Sequence, residues 1–149
     1  MSHTKEIPFK IPERVNILQE YHFGYASLRL RSDGITQINT ADDTMYSLKE
    51  TKEVHSMVTK LNGRQPILIM HVPGKHTNAD NASRKFLASE TGLKNRLAFA
   101  FVLQSLAQRI VANFYVRMNK PKRPTKFFSV QKDAEKWLLS VKQDKTGLN

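Results

Sequence analysis

The chain has no cysteine, which excludes disulfides, thiolate metal sites and cysteine nucleophiles. It has no apolar run approaching the ~18 residues of a membrane-spanning helix. Its opening, Met1-Ser-His-Thr-Lys-Glu-Ile, has no apolar stretch behind the lysine and does not read as a secretory signal. A soluble, cytoplasmic protein is expected. There is no G-x-S-x-G elbow, and Gly63-Arg64-Gln65-Pro66 is not a phosphate loop. No internal repeat or low-complexity segment is present. No catalytic motif rises above background, so no enzyme activity and no cofactor are expected.

Acidic residues are also scarce: 13 against 24 lysines and arginines, a net charge of +11. Such an excess attracts nucleic acid, acidic proteins or an anionic membrane face. The basic residues are spread along the chain, with one cluster at Lys120, Lys122, Arg123 and Lys126. No zinc-finger spacing or RNA-binding aromatic signature accompanies them, so nucleic acid is not the expected partner.

What the sequence does contain is organised around 96–130. Leu97-Ala-Phe-Ala-Phe-Val-Leu103 is near-continuously apolar, as in a strand buried on both faces. Ser105 to Lys120 places Leu106, Ile110, Phe114 and Met118 at helical spacing, one apolar face of a helix. Asn119-Lys120-Pro121 stops that helix. Thr125 to Val130 reads as the next strand, closing a βαβ unit of expected right hand.

Before this unit, Val15 to Tyr21 predicts a first strand and Gly24 to Arg31 a second. In the second, Ala26, Leu28 and Leu30 alternate with Ser27, Arg29 and Arg31, the mark of a half-buried antiparallel strand. Asp33-Gly34 predicts a hairpin turn with positive φ available at both positions, and Ile35 to Asn39 returns. Residues 40–44 read as a loop.

Ser47 and Glu50 form the S-x-x-E pattern of a capping box. The helix behind them buries Val54, Met57, Val58 and Leu61 and closes at Asn62-Gly63. Pro66 to Val72 is a second apolar strand. A helix from about Ala79 to Ser89 should turn Ala82, Phe86 and Leu87 inward and end at Thr91-Gly92. The last helix, from Gln131 to about Gln143, turns Ala134, Trp137, Leu138 and Val141 inward. The expected organisation is a flexible lead-in at 1–12, one domain at 13–143 and a frayed tail at 144–149. The expected fold is α/β: a mixed, mostly parallel sheet opened by an antiparallel hairpin, with about four helices.

This order resembles the STAS domain family in its SpoIIAA-like branch, and small bacterial members of that branch in particular. The resemblance rests on Ser83-Arg84-Lys85-Phe86-Leu87-Ala88-Ser89, Leu97-Ala98-Phe99-Ala100, Arg109 to Pro121, Lys126-Phe127-Phe128 and Ala134-Glu135-Lys136-Trp137-Leu138. It covers roughly Gly24 to Gln143; the CRAL-TRIO lipid-binding fold is a more distant relation. The resemblance implies a non-catalytic interaction domain with a regulatory role through protein–protein contact. The alternative it implies is binding of a small anionic or lipidic ligand. Anti-sigma antagonists of the family carry a phosphorylated serine in an Asp-Ser-Ser-Gly-like segment. The matching place here, Pro73-Gly-Lys-His-Thr-Asn-Ala-Asp-Asn-Ala-Ser83, lacks Ser-Ser-Gly, and Thr77 and Ser83 are only weak stand-ins as phosphoacceptors.

The candidate contact surface combines that loop with the adjacent helix: Lys75, His76, Thr77, Asn78 and Ser83, with Arg109 and Arg117. A loop at the carboxyl end of a central strand is where open α/β sheets bind ligands, and a helix start favours anions. The competing reading is an ordinary loop with Thr77, Asn78 or Asp80 as N-cap. His55, His71 and His76 match no metal-ligand spacing, so no metal is expected. His71 reads as an internally bonded strand histidine, and Asp42-Asp43 as turn chemistry. The 105–120 helix also carries Val111, Tyr115 and Val116 off its main stripe, with Arg109, Arg117, Lys120, Lys122 and Arg123 around it. A homodimer or partner surface, an apolar-ligand groove, a membrane-surface contact and simple deep packing all fit that pattern.

Overall fold

The computed structural model describes residues 14–118 and 120–146. The expected lead-in at 1–12, Asn119 of the helix stop and the final residues 147–149 lie outside them. The elements are β1 (Ile17–His22), β2 (Ala26–Arg31), β3 (Ile35–Thr40), β4 (Met45–Tyr46), α1 (Leu48–Asn62), β5 (Ile67–Val72), β6 (Asn78–Ala79), α2 (Asn81–Leu87), α3 (Glu90–Leu93), β7 (Arg96–Val102), α4 (Leu106–Met118), β8 (Thr125–Phe128) and α5 (Gln131–Thr146). Six strands form one sheet in the order β1-β2-β3-β5-β7-β8. β1, β2 and β3 pair antiparallel; β3, β5, β7 and β8 pair parallel. The mixed sheet and its opening hairpin are therefore as expected.

Alternation along the parallel strands divides the core in two. Leu68, Met70 and Val72 of β5 and Ala98, Ala100 and Val102 of β7 face α5, which delivers Ala134 and Leu138 into them. Ile67 and Ile69 face the other way, with Leu28 and Ile38, onto Val58 of α1. Val54, Met57 and Leu61 complete the α1 stripe.

Several local expectations are corrected. The β2–β3 connection is a three-residue loop, 32–34, in which Gly34 takes φ 91° while Asp33 does not take positive φ. Asp33 contributes its carboxylate instead, accepting from the Ile35 N–H at 3.2 Å. Ser47 caps α1 by position, but its hydroxyl turns to the Glu50 carboxylate rather than to a helix N–H. Thr40 ends β3, and 41–44 form the expected loop, which leads into β4, a short strand paired parallel with β6.

α2 is shorter than expected, and a separate α3 follows. Ala82 and Leu87 are exposed, Phe86 is half-buried, and Ser83 is the residue turned fully inward. Gly92, the expected stop, lies inside α3, where the chain passes so close to α2 that a Cβ would sit 2.2 Å from the Phe86 carbonyl oxygen.

The polar side of β2 is not a solvent face either. Ser27 and Arg31 are both buried. Arg31 is accommodated by neutralisation: Nη2 donates to Asp33 at 2.6 Å, Nη1 to Gln37 at 2.9 Å, and Glu135 of α5 lies 2.7 Å away. Nη2 points at Asp33, so Glu135 Oε2 meets it by charge without an aligned N–H.

The orientation of α4, which its spacing leaves open, is outward: Leu106, Ile110, Phe114 and Met118 are 65%, 59%, 66% and 69% exposed. Not one of the 13 residues of α4 is buried. Its half-buried positions are Gln108, Ala112 and Val116, a narrow side of mostly small residues. The spacing is that of an amphipathic helix, but its broad apolar side faces out.

Candidate functional site

The carboxyl ends of β3 and β5 carry two loops that are bonded to each other. Gly74 N–H donates to Thr40 Oγ1 at 3.2 Å, and Lys75 N–H donates to the Asp42 carboxylate at 2.7 Å. Asp43 N–H donates to Lys75 O at 2.7 Å, and the Thr77 hydroxyl bonds Ala41 O. Asp43 and His76 both adopt positive φ and pair at 2.9 Å. Position 74 must be glycine, since a Cβ there would lie 2.6 Å from the Ala41 carbonyl carbon. The acidic pair Asp42-Asp43 therefore serves turn chemistry, as read from sequence. The backbone donors of Gly74 and Lys75 are spent within the chain.

The start of α2 is similarly occupied. Asp80 is its N-cap and accepts from Ser83 N–H at 2.8 Å, which holds the Asp80 carboxyl below its ordinary range. Asn78 lies in β6, its side chain accepting from Ala79 N–H. Ser83 is fully buried; its hydroxyl accepts from Thr51 at 2.9 Å and donates to Tyr46 O at 3.2 Å. A kinase reaches that hydroxyl only if α2 leaves α1. Thr77 is half-buried.

A hollow of about 130 Å³ joins this loop to the α4 start, lined by Lys75, His76, Gln104, Ser105 and Gln108. Ser105 Oγ accepts from Gln108 N–H at 3.1 Å, and Gln108 Oε1 accepts from Gln104 N–H at 3.2 Å. Gln108 Nε2 then donates to Gly74 O at 3.1 Å, tying α4 to the loop. The Ser-x-x-Gln spacing of a capping box is the signal in the sequence for this start, although Gln108 reaches Gln104 N–H rather than that of Ser105. Of the expected contact residues, Lys75 and His76 meet here. Arg109 and Arg117 do not line it and are exposed along α4.

Farther along, Arg84 of α2 stands over the Tyr115 ring at 5.9 Å. The outward apolar residues of α4 form one long strip: Leu106, Ile110 and Phe114 down its middle, Val111 and Met118 beside them.

A second, more open hollow of about 590 Å³ lies between the β1–β2 turn and α1, over Phe23 and Met57 with Lys52, Glu53, Ser56 and Lys60 around it. Tyr25 donates to Glu53 at 2.5 Å beside it, and burial together with that carboxylate pushes the Tyr25 hydroxyl pKa up.

The histidines serve separate places. His55 bonds Gly92 O at 3.1 Å, and burial with the nearby Arg96 charge lowers its pKa. His71 lies in β5 with Thr40 Oγ1 at 3.5 Å, and burial pushes it down to about 4. Among the described residues no group of three His, Asp or Glu side chains is placed to hold a metal ion. Arg96, which sequence reading passed over, ties β7 to α1 through Thr59 at 2.9 Å and His55 O at 3.2 Å. Burial pushes it down to about 10, so it stays cationic at neutral pH.

Comparison with known proteins supports this architecture. The structure is similar to the crystal structure of an uncharacterised DUF3478-family protein with a SpoIIAA-like fold from Shewanella loihica PV-4. The TM-score is 0.51 at 15% identity, covering 83% of this chain and 93% of that one. At that identity the likeness establishes a SpoIIAA-like fold and nothing about activity. No curated protein matches the sequence. A family model described as a domain of unknown function, DUF7793, matches residues 28–142; the chain belongs to that family.

Proposed function

We propose that the protein is a non-catalytic docking module, working through contact at the outer face of α4. The observation that carries this reading is the outward exposure of Leu106, Ile110, Phe114 and Met118. A side chain of that size returns about 1.5–3 kcal/mol when fully buried. A helix that turns four of them to water, while resting on Gln108, Ala112 and Val116, forfeits several kcal/mol that a partner can recover. The regulatory protein–protein role implied by the STAS resemblance needs such a surface. The Pro73–Ser83 loop is the weaker half of the expected surface, because its backbone donors are already spent.

The test is to replace Ile110→Ser and Phe114→Ser together and follow thermal unfolding. Exposed substitutions stay within about 0.5 kcal/mol each, so Tm should move by no more than about 2–4 °C. A drop of about 8 °C or more would show the face to be core and end the docking reading.

A further inference from the structure

Building on that docking face, we infer that α4 seats in the headgroup layer of an anionic membrane, lying along the surface. Charge is the first argument. Residues 91–132 contain nine lysines and arginines and no aspartate or glutamate. Subtracting them from the whole chain leaves 24 − 9 = 15 basic against 13 acidic residues elsewhere. Nine of the basic residues behind the net +11 therefore lie between α3 and the start of α5, around α4, although Arg96 among them is buried against α1. Arg109 and Arg117 are exposed on the helix, and Lys120 and Lys122 are exposed just beyond it.

Shape is the second argument. α4 has 13 residues, about 20 Å of helix at 1.5 Å per residue. Its large apolar side chains are more than half exposed at Leu106, Ile110, Val111, Phe114 and Met118. The hollow at its N-terminal end is small and lined by polar groups. A bilayer interface offers what this surface lacks: apolar depth of about 5–10 Å beneath a plane of negative charge. No helix among the described residues is long and apolar enough to cross a membrane, so the contact lies in the plane.

A second copy of the chain is a poorer occupant. Pairing α4 with itself would bring cations together with no carboxylate from 91–132 to offset them. An acidic protein would satisfy the charge and is the competing outcome.

The full chain is mixed with phosphatidylcholine vesicles, with and without a quarter of phosphatidylglycerol, at low and high salt, and bound protein is measured by flotation. Binding should need the anionic lipid and weaken with salt. Arg117→Ala with Lys120→Ala and Lys122→Ala should weaken it about fivefold per cation, on the order of a hundredfold together. Ile110→Ser with Phe114→Ser should abolish it while the protein stays folded. Equal binding to neutral and anionic vesicles would overturn the inference. So would no vesicle binding by a protein whose serine variant keeps its Tm; the docking face would then stand and its occupant would not be lipid. Salt-sensitive capture of polyglutamate in place of vesicles would overturn it in favour of an acidic protein. If the serine variant unfolds, the docking reading itself falls.

Discussion

α4 and α5 are both amphipathic and flank the same strand, β8, yet they end in opposite situations. α5 buries Ala134 and Leu138 completely and uses Glu135 to meet the buried Arg31. α4 is the more apolar of the two and buries nothing. α5 packs on the sheet, whereas α4 is tied to the rest of the fold through the Gln108–Gly74 hydrogen bond and the Arg84–Tyr115 contact. α5 lies over Ala98 and Ala100 of β7, small residues that let a helix come close. The opposite side of β7 and β8 presents Phe101 and Phe127, ring centroids 5.6 Å apart and half-buried. Apolar content did not decide which helix joined the core.

The contrast can be broken most sharply at the buried charge. Glu135→Ala should cost about 3–5 kcal/mol in urea unfolding, because it weakens the neutralisation of Arg31 under α5. A loss near zero would mean that Asp33 and Gln37 suffice. Next, Leu138→Ala should cost about 2–5 kcal/mol, against under about 1 kcal/mol for the double serine variant of α4. Equal losses would erase the distinction between the helices.

A smaller effect is expected from pH. His71 has its pKa lowered in the folded state, so the unfolded chain binds the proton first as pH falls. Stability is whole above about pH 6.5 and is lost toward pH 4, by at most about 1.4 kcal/mol per pH unit. His71 is only partly buried, which should reduce that slope. His71→Phe should flatten the acid limb; an unchanged limb would assign it to the carboxylates Glu50 and Asp80. Smallest, Ser105→Ala should loosen the start of α4 by about 1 kcal/mol, read as faster amide exchange in its first turn with little change in global stability.

Much of the fold was legible. β5 and β7 announced themselves as apolar runs, and the alternation in β2 showed a strand with Leu28 inward. Val54, Met57, Val58 and Leu61 marked the inner side of α1, and Ala134 and Leu138 that of α5. The extent of α4 was legible as well, but its orientation was not. Periodicity tells which residues share a face; it does not tell which way the face points. Arg31 was misread because alternation treats a cation as solvent-facing, while its partner Glu135 lies far along the chain. β4 and β6 have two residues each, too few for any pattern. Ser83 is a contact residue and weak phosphoacceptor by sequence, and only the tertiary contacts with Thr51 and Tyr46 show that its hydroxyl is spoken for. The tie between Lys75 and Asp42 likewise joins loops that no local rule connects.

The tight crossing at Gly74 has a consequence for mutational tolerance. In a saturation library sorted only for folded protein, position 74 should come back as glycine alone, since even a methyl group would collide with the Ala41 backbone. Gly24, with open space around its Cα, should accept many residues in the same sort. A position so constrained by its neighbour's backbone would look invariant for reasons of assembly, and its invariance would carry no information about what the protein binds.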